Sequence, residues 1–257
     1  MNIDYIVANP TGNITVLVTS NVSDAERHEV VQEMFREVPA CEQVGFVVPL
    51  SESRIKLDMM GGEFCGNATI SAAAYLASLN KLTVGGVTTI LVDASGVNEA
   101  VSVVIECKAP ASYSGTIEMP MPSIDNSGKY SVVHMDGISH MIIDDDIDDE
   151  EMMSSIRKHA SDLNVPALGM LKYTELDGDT ADVEIRPLVY VAGSNTLVWE
   201  NGCASGSIAA AYYRFVRTSA EHTVVRQPGG LITIDFTKDK VLMTGNVTFQ
   251  GNALGTI

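Results

Sequence analysis

The sequence predicts an α+β fold made of two pseudo-symmetric halves, each with several strands around one buried helix. Strand-rich segments occur in the same order in both halves. In addition, EFCGNATISAAAY at 63–75 has a near echo in WENGCASGSIAAAYY at 199–213. In both, a cysteine precedes small residues, and an alanine-rich stretch of high helix propensity follows. A chain of 257 residues is long enough for two domains of about 125 residues.

The first half is dominated by predicted strands. Five segments are rich in β-branched residues and are bounded by Gly, Asn or Pro, which is typical of strands. They are 14–20, 44–50, 54–60, 88–95 and 100–107. A helix is predicted at about 24–37, because Ser23 and Glu26 form a capping box ahead of an apolar face.

The second half repeats this order. Strands are predicted at SVVHM, HMIID, VEIRPLVYV and TLVW, which lie within 131–199. A helix is predicted at about 149–161, where acidic residues in the first turn complement the helix dipole. The two helices that follow the paired cysteines, 66–80 and 204–218, contain so many small and apolar residues that we expect both to be buried.

These elements predict two domains, 1–112 and 113–240, joined near PASYSG at 110–115. Residues 241–257 are expected to supply strands that return to one of the halves, and they could complete the first domain.

Composition excludes several classes of protein. A net charge of −17 argues against nucleic-acid and anionic-membrane partners. No run of 18 apolar residues is present, and the N-terminus lacks the features of a signal peptide, so we expect a cytoplasmic protein. Four cysteines without a CxxC pair, and five unclustered histidines, predict neither a metal site nor a disulfide scaffold. The acidic run at 144–151 lacks the spacing of a calcium loop and is interpreted as solvated surface.

A cysteine directly before a helix has a specific chemical use. The first backbone N–H groups of a helix have no partner within it, and its dipole places partial positive charge there, which favours a thiolate. Gly66 and Asn67, and likewise Ala204 and Ser205, are small enough for an anion to approach these N–H groups. Each cysteine motif therefore predicts a carboxylate-binding helix end with a reactive thiol.

Two such ends facing one another would hold a single amino acid by its carboxylate, with a thiol on either side of Cα. One thiolate would remove the Cα proton, and the other thiol would return a proton from the opposite face. The sequence thus predicts a racemase or epimerase in which Cys65 and Cys203 are catalytic and no cofactor is needed. Cys41 and Cys107 lack this setting and are interpreted as structural.

These motifs resemble the diaminopimelate epimerase superfamily of cofactor-independent, two-cysteine racemases and epimerases. EFCGNAT at 63–69 is similar to its first cysteine motif, and CASGS at 203–207 is similar to its second, with Ala204 in place of the usual Gly. The resemblance covers nearly the whole chain. It implies that each domain is a β-barrel-like sheet around a central helix and that the active site lies between the domains.

Within the superfamily, the chain most resembles histidine racemases that supply D-histidine to opine-type metallophore synthesis. NPTGN at 9–13, CEQVGF at 41–46, WENGC at 199–203 and QPGG at 227–230 carry this likeness. It implies the following roles. Asn13 and Asn67 would hydrogen-bond the substrate. Glu42 would face its amino group or side chain, and Glu200 would lie near the second thiol. The other predicted substrate-binding residues are Gly66, Ala204 and Ser205, at the two helix starts described above.

His140 is interpreted as structural in the first place, with a role in positioning the site as the alternative. The QPGG segment is interpreted as a turn near the active site.

Alternatives remain open. A diaminopimelate epimerase is disfavoured, because Ile138 and Asp182 replace asparagines of that family and its Glu-Arg pair before the second cysteine motif is missing. A racemase of another amino acid, or a relative that only binds a small molecule, is also compatible with the sequence. A two-fold homodimer is the default expectation for such an enzyme.

Overall fold

A computed structural model of the chain describes residues 3–178, 180–193 and 195–250, together with the backbone of 255–256. The helices of this part are α1 (Arg27–Glu37), α2 (Gly66–Leu79), α3 (Asp149–Leu163) and α4 (Ala204–Thr218). Its strands are β1 (Asp4–Pro10), β2 (Thr15–Val18), β3 (Gln43–Ser51), β4 (Arg54–Met59), β5 (Val87–Ala94), β6 (Val101–Ala109), β7 (Ser112–Met119), β8 (Ser123–Asp125), β9 (Val132–Met135), β10 (Ile138–Ile143), β11 (Ala167–Glu175), β12 (Val183–Val191), β13 (Thr196–Trp199), β14 (His222–Gln227), β15 (Gly230–Phe236), β16 (Val241–Phe249) and β17 (Gly255–Thr256).

The chain divides into two compact units. Unit 1 consists of Met1–Glu118 and Thr244–Ile257, and unit 2 consists of Met119–Met243. The first boundary lies beyond 110–115, the segment that the sequence predicts as the junction. That segment forms the turn and the first residues of the β6–β7 hairpin, where Ala111 adopts a positive φ of 56°. In the predicted C-terminal segment 241–257, residues 251–254 and 257 lie outside the described part of the chain.

Unit 1 is a closed barrel around a helix. Strands β1 to β7 pair in chain order, and β16 pairs with both β7 and β1, so the ring closes. Helix α2 contacts β1 to β6, and its residues from Gly66 to Ala77 are all buried. Small side chains allow this close packing. At Gly115 of β7, for example, a Cβ atom would collide with the Ile70 side chain of α2.

Unit 2 wraps its sheet around α4 in the same manner. The pairing runs from β8 through β9, β10, β11 and β12 to β14 and β15. Strand β13 pairs with the same edge of β12 as β14 does, but with the residues Leu188–Val191 at the other end of the strand. Helix α4 contacts β9, β10, β11, β12, β14 and β15. Its residues from Ile208 to Ala211, which make a full turn, are all fully buried.

The two units share one winding order. In unit 1, β2 and β3 are parallel and joined through α1, and β4 and β5 are parallel and joined through α2. In unit 2, α3 joins the parallel pair β10 and β11, and α4 lies in the connection between the parallel pair β12 and β14. The outer helices α1 and α3 each cover an apolar core, around Met34 and Met152 respectively. The predicted α+β class, with a barrel-like sheet around a central helix in each of two similar units, is confirmed.

All four helices lie where the sequence predicts them, but α1 begins at Arg27 with Glu26 as its N-cap, so Ser23 is not the cap, and its N–H and hydroxyl donate to the Glu26 carboxylate. Several strands were not predicted. Strands β1, β8, β11, β14 and β15 were not expected, and neither was β7, which begins within the predicted junction. No helix in the described part of the chain is long and apolar enough to span a membrane.

Candidate active site

The N-terminus of α2 presents the thiol of Cys65. Cys65 is the N-cap residue, with extended backbone angles (φ −130°, ψ 113°), and the Ala68 N–H donates to its sulfur at 3.5 Å. The Thr69 hydroxyl donates to the Cys65 carbonyl at 2.7 Å, which fixes the residue in the first turn. The Cys65 side chain is half-buried, and the following Gly66 and Asn67 are buried.

The loop before Cys65 is held from the β5–β6 side of unit 1. The Ser95 hydroxyl donates to the Glu63 carbonyl at 2.8 Å and accepts from the Met59 N–H at 2.9 Å. Gly96 has a φ of 78°, and a Cβ atom at this position would collide with the Phe64 backbone nitrogen. Only glycine therefore allows the loop to approach so closely.

Asn13 and Glu42, both predicted site residues, lie together in unit 1. Asn13 follows the tight turn between β1 and β2, in which Thr11 and Gly12 have positive φ values. Its buried amide donates to the Glu42 carboxylate at 2.6 Å. Gln43, which the sequence analysis did not single out, donates to the Asn13 side-chain oxygen. This chain of amides orients the Glu42 carboxylate.

The N-terminus of α4 presents the thiol of Cys203 in the same way but in a tighter setting. Cys203 is the N-cap, and the Gly206 N–H donates to its sulfur at 3.3 Å. The Ser207 hydroxyl donates to the Cys203 carbonyl at 2.8 Å, as Thr69 does in unit 1. The Cys203 residue is only 5% exposed.

Gln227 fixes the Cys203 backbone, and sequence reasoning missed this role. Its side-chain oxygen accepts from the Cys203 N–H at 2.6 Å, and its side-chain nitrogen donates to the Ser207 hydroxyl at 2.8 Å. The QPGG segment does form the predicted turn, between β14 and β15. The only signal in the sequence was the amide side chain of Gln227 at the start of that turn.

The surroundings of Cys203 hold its thiol in the protonated form. Burial, and then the carboxylate of Glu200, raise the pKa of Cys203 well above its usual value; the thiol donates a hydrogen bond to Glu200. Hydrogen bonds from Ser205 and the Gly206 N–H lower the pKa of Cys203, but by less than burial and Glu200 raise it. Glu200 follows β13, where its N–H donates to the Pro187 carbonyl at 3.0 Å.

His140 lies next to this site on β10. It is fully buried, and its Nε2 lies 2.9 Å from the Ser205 hydroxyl oxygen, which in turn lies 3.5 Å from the Cys203 sulfur. Burial lowers the pKa of His140 to about 3, so the ring is neutral at physiological pH.

The other two cysteines have different surroundings. The thiols of Cys41 and Cys107 are buried and donate to the backbone carbonyls of Gln43 and Ala109. Burial raises the pKa of Cys41 to about 11. Within the described residues, no three His, Cys, Asp or Glu side chains are grouped as ligands for a metal ion.

The two barrel-like units define a fold class that is also found in solved structures of epimerases and PhzF-family proteins. A crystal structure of a hydroxyproline epimerase from Agrobacterium vitis, with bound trans-4-hydroxy-L-proline, superposes with a TM-score of 0.63 at 10% identity, covering 100% of this chain and 92% of that one. A PhzF-family phenazine biosynthesis protein from Bacillus anthracis superposes with a TM-score of 0.68 at 12% identity, covering 98% of each chain.

Sequence comparison narrows this class to one family. The family model described as the histidine racemase CntK N-terminal domain matches residues 2–253. A histidine racemase from Fusobacterium nucleatum subsp. nucleatum is 30% identical, over 95% of this chain and 94% of the relative. The chain belongs to the histidine racemase family, and it is an enzyme of the isomerase class. The resemblance drawn from the cysteine motifs is thereby confirmed.

Proposed function

We propose that this protein interconverts L- and D-histidine without a cofactor, using Cys65 and Cys203 as the acid and base. The observation that carries the proposal is that each cysteine is the N-cap of its unit's buried central helix, with a helix N–H donating to the sulfur. Membership of the histidine racemase family supports histidine as the substrate.

The substrate carboxylate would be bound by the two helix N-termini. The N–H groups of Gly66 and Asn67, and those of Ala204 and Ser205, lie in the first turns, where the helix dipole favours an anion. As the Cα proton leaves, negative charge spreads onto the carboxylate. The same N–H groups would then stabilise the transition state more than the ground state.

Proton transfer would pass through both sulfurs. In one direction the Cys65 thiolate takes the Cα proton, and the Cys203 thiol gives its proton to the opposite face, leaving a Cys203 thiolate and an inverted Cα. The neutral resting state of Cys203, which burial and Glu200 favour, supports its role as the acid in this direction. In the other direction, the Glu200 carboxylate is placed to accept the Cys203 proton and generate the thiolate base.

In unit 1, Glu42 would bind a cationic or N–H group of the substrate. Its carboxylate is already oriented by the Asn13 amide, so little reorganisation is needed when the α-ammonium or the imidazole N–H arrives. Asn13 would contribute the remaining donor of its amide.

The test is Cα deuterium exchange. Purified protein incubated with L-histidine in D2O, without pyridoxal phosphate, should give D-histidine and Cα-deuterated product, measured by chiral chromatography and NMR. The other amino acids and diaminopimelate, run in parallel, identify the substrate. Exchange with one of them and not with histidine would reassign the substrate, and exchange with none would refute the racemase proposal in favour of a binding protein.

We also propose a cellular setting, which the resemblance to histidine racemases supports. We infer a cytoplasmic enzyme, acting as a homodimer, whose D-histidine is consumed by an opine-type metallophore synthase. Light scattering of the pure protein tests the dimer. A deletion strain tests the pathway, since it should lose the metallophore and recover it on D-histidine feeding.

A further inference from the structure

We propose that His140 is a positioning residue that orients the Ser205 hydroxyl so that Ser205 donates a hydrogen bond to the Cys203 sulfur. The inference rests on the proposed catalytic role of Cys203. The chain of contacts is short: Nε2 of His140 to Oγ of Ser205 is 2.9 Å, and Oγ of Ser205 to Sγ of Cys203 is 3.5 Å.

First, the imidazole ring of His140 is buried and has few polar neighbours. His140 is 0% exposed, and its Nδ1 atom is buried with no hydrogen-bond partner among the described residues. Gly169 of β11 lies against the Nδ1 edge, where a Cβ atom would collide with the ring. Within the described part of the chain, the only hydrogen bond of the ring is therefore at Nε2.

The second step is the position of the single proton. Burial keeps the ring neutral, so only one nitrogen carries hydrogen. A proton on Nδ1 would bury an N–H without an acceptor, whereas a proton on Nε2 leaves only a lone pair unpaired and makes an N–H···O bond. The geometry thus selects the tautomer that donates from Nε2 to Ser205.

The third step fixes the Ser205 proton. Once the Ser205 oxygen accepts from His140, the Ser205 O–H can point to the Cys203 sulfur. The sulfur then accepts two hydrogen bonds, one from Ser205 and one from the Gly206 N–H. A hydrogen bond from Ser205 favours the thiolate, in opposition to burial and to Glu200. His140 would therefore assist catalysis through its tautomer and without ever becoming charged.

Unit 1 lacks this arrangement. On β10, His140 pairs with Gly169 of β11, and at the corresponding register of unit 1, Leu17 of β2 pairs with Gly45 of β3. His140→Leu therefore introduces the residue type that the other unit tolerates at this place. His140→Gln retains a side-chain N–H donor.

The experiment measures the alkylation rate of Cys203, which rises with its thiolate fraction. Iodoacetamide alkylation of each cysteine, resolved by peptide mass spectrometry at about pH 8, should be about tenfold slower at Cys203 in Ser205→Ala and in His140→Leu than in the wild type. His140→Gln should recover most of the rate. In the Ser205→Ala background, His140→Leu should have no further effect, because the histidine acts only through the serine.

His134→Leu is the matched control. His134 makes a similar bond, from Nδ1 to the Ser139 hydroxyl at 2.9 Å, on the adjoining strand. This variant should leave Cys203 alkylation unchanged. For racemisation, His140→Leu should lower kcat about tenfold with KM unchanged, and His140→Gln should restore it.

Two results would overturn the proposal: an unchanged Cys203 alkylation rate in Ser205→Ala, or additive effects of the two substitutions. Failure of the racemase proposal is distinguishable, because alkylation does not depend on turnover. If Cys203→Ser still racemised histidine, the catalytic role would be lost while the alkylation shift in Ser205→Ala still reported the hydrogen bond.

Discussion

The N-termini of α2 and α4 have the same backbone design and different side-chain surroundings. In both, a cysteine caps the helix, and a hydroxyl four residues later donates to its carbonyl. Cys65 is half-buried, whereas Cys203 is 5% exposed and is bonded through its backbone N–H to Gln227. Burial and Glu200 then raise the pKa of Cys203. The comparison teaches that the backbone places each sulfur in the same way, while burial and the neighbouring Glu200 set the pKa of Cys203.

Serine substitution of the two cysteines should have the largest effect and tests whether both ends are needed. Cys65→Ser and Cys203→Ser should each lower kcat for histidine racemisation by about 10²–10⁴-fold, since inversion needs an acid and a base. Circular dichroism checks the fold. Cys107→Ala is the control, because this buried thiol contacts only local backbone; its kcat should stay within about twofold. Near wild-type racemisation in either serine variant would contradict the symmetry of the two roles.

Gly96→Ala should disrupt the loop that presents Cys65 in unit 1. The new Cβ would collide with the Phe64 nitrogen and would also meet the cost of a φ of 78°. We expect a loss of about 3 kcal/mol in the free energy of unfolding, measured with urea.

Gly62→Ala is the control, since its φ is 75° but nothing lies within 4 Å of the added Cβ. It should lose only about 1–2 kcal/mol. Equal losses in the two variants would show that the close approach at Phe64 does not matter.

Gly206→Ala tests the tighter packing around Cys203. The added Cβ would lie 3.1 Å from the Cys203 sulfur and 3.2 Å from the Leu171 side chain, so the sulfur must shift. We expect kcat to fall about tenfold. Unit 1 already has Ala68 at the equivalent place, and Ala68→Gly should cost about 1 kcal/mol of helix propensity and change kcat less than twofold. If kcat fell more in Ala68→Gly than in Gly206→Ala, the tighter packing around Cys203 would not be what matters for catalysis.

A further prediction is a pH dependence of stability from His140. Its pKa is about 3 in the folded protein and about 6.5 when exposed, so below about pH 6.5 the unfolded chain binds a proton that the folded one excludes. This contribution to stability is complete above about pH 6.5 and falls by up to about 1.4 kcal/mol per pH unit toward pH 3.

Urea unfolding of wild type and His140→Gln at several pH values between about 4 and 7 checks this slope. The glutamine variant should show a flatter dependence over that interval. Parallel curves would mean that the ring is not held neutral by burial.

Local sequence signals sufficed for the helices and for the two cysteine caps, because capping and helix propensity act within a few residues. They did not reveal β11, whose run from Ala167 to Leu171 is buried throughout and so shows no strand alternation. Around Cys203, the neighbouring Glu200 was predicted, whereas the hydrogen bonds made by Gln227 and His140 were not. Gln227 is 24 residues from Cys203, and His140 is 65 residues from Ser205. Only the strand pairing of unit 2 brings these side chains to the helix.

The central claim is that one histidine molecule engages both thiols. Alkylation of the wild-type protein, followed for each cysteine by peptide mass spectrometry while histidine is titrated, tests it most directly. We predict that histidine slows the labelling of Cys65 and Cys203 with the same half-saturating concentration and leaves Cys41 and Cys107 unaffected. Protection of only one of the two catalytic thiols, or protection of each at a different concentration, would contradict the account.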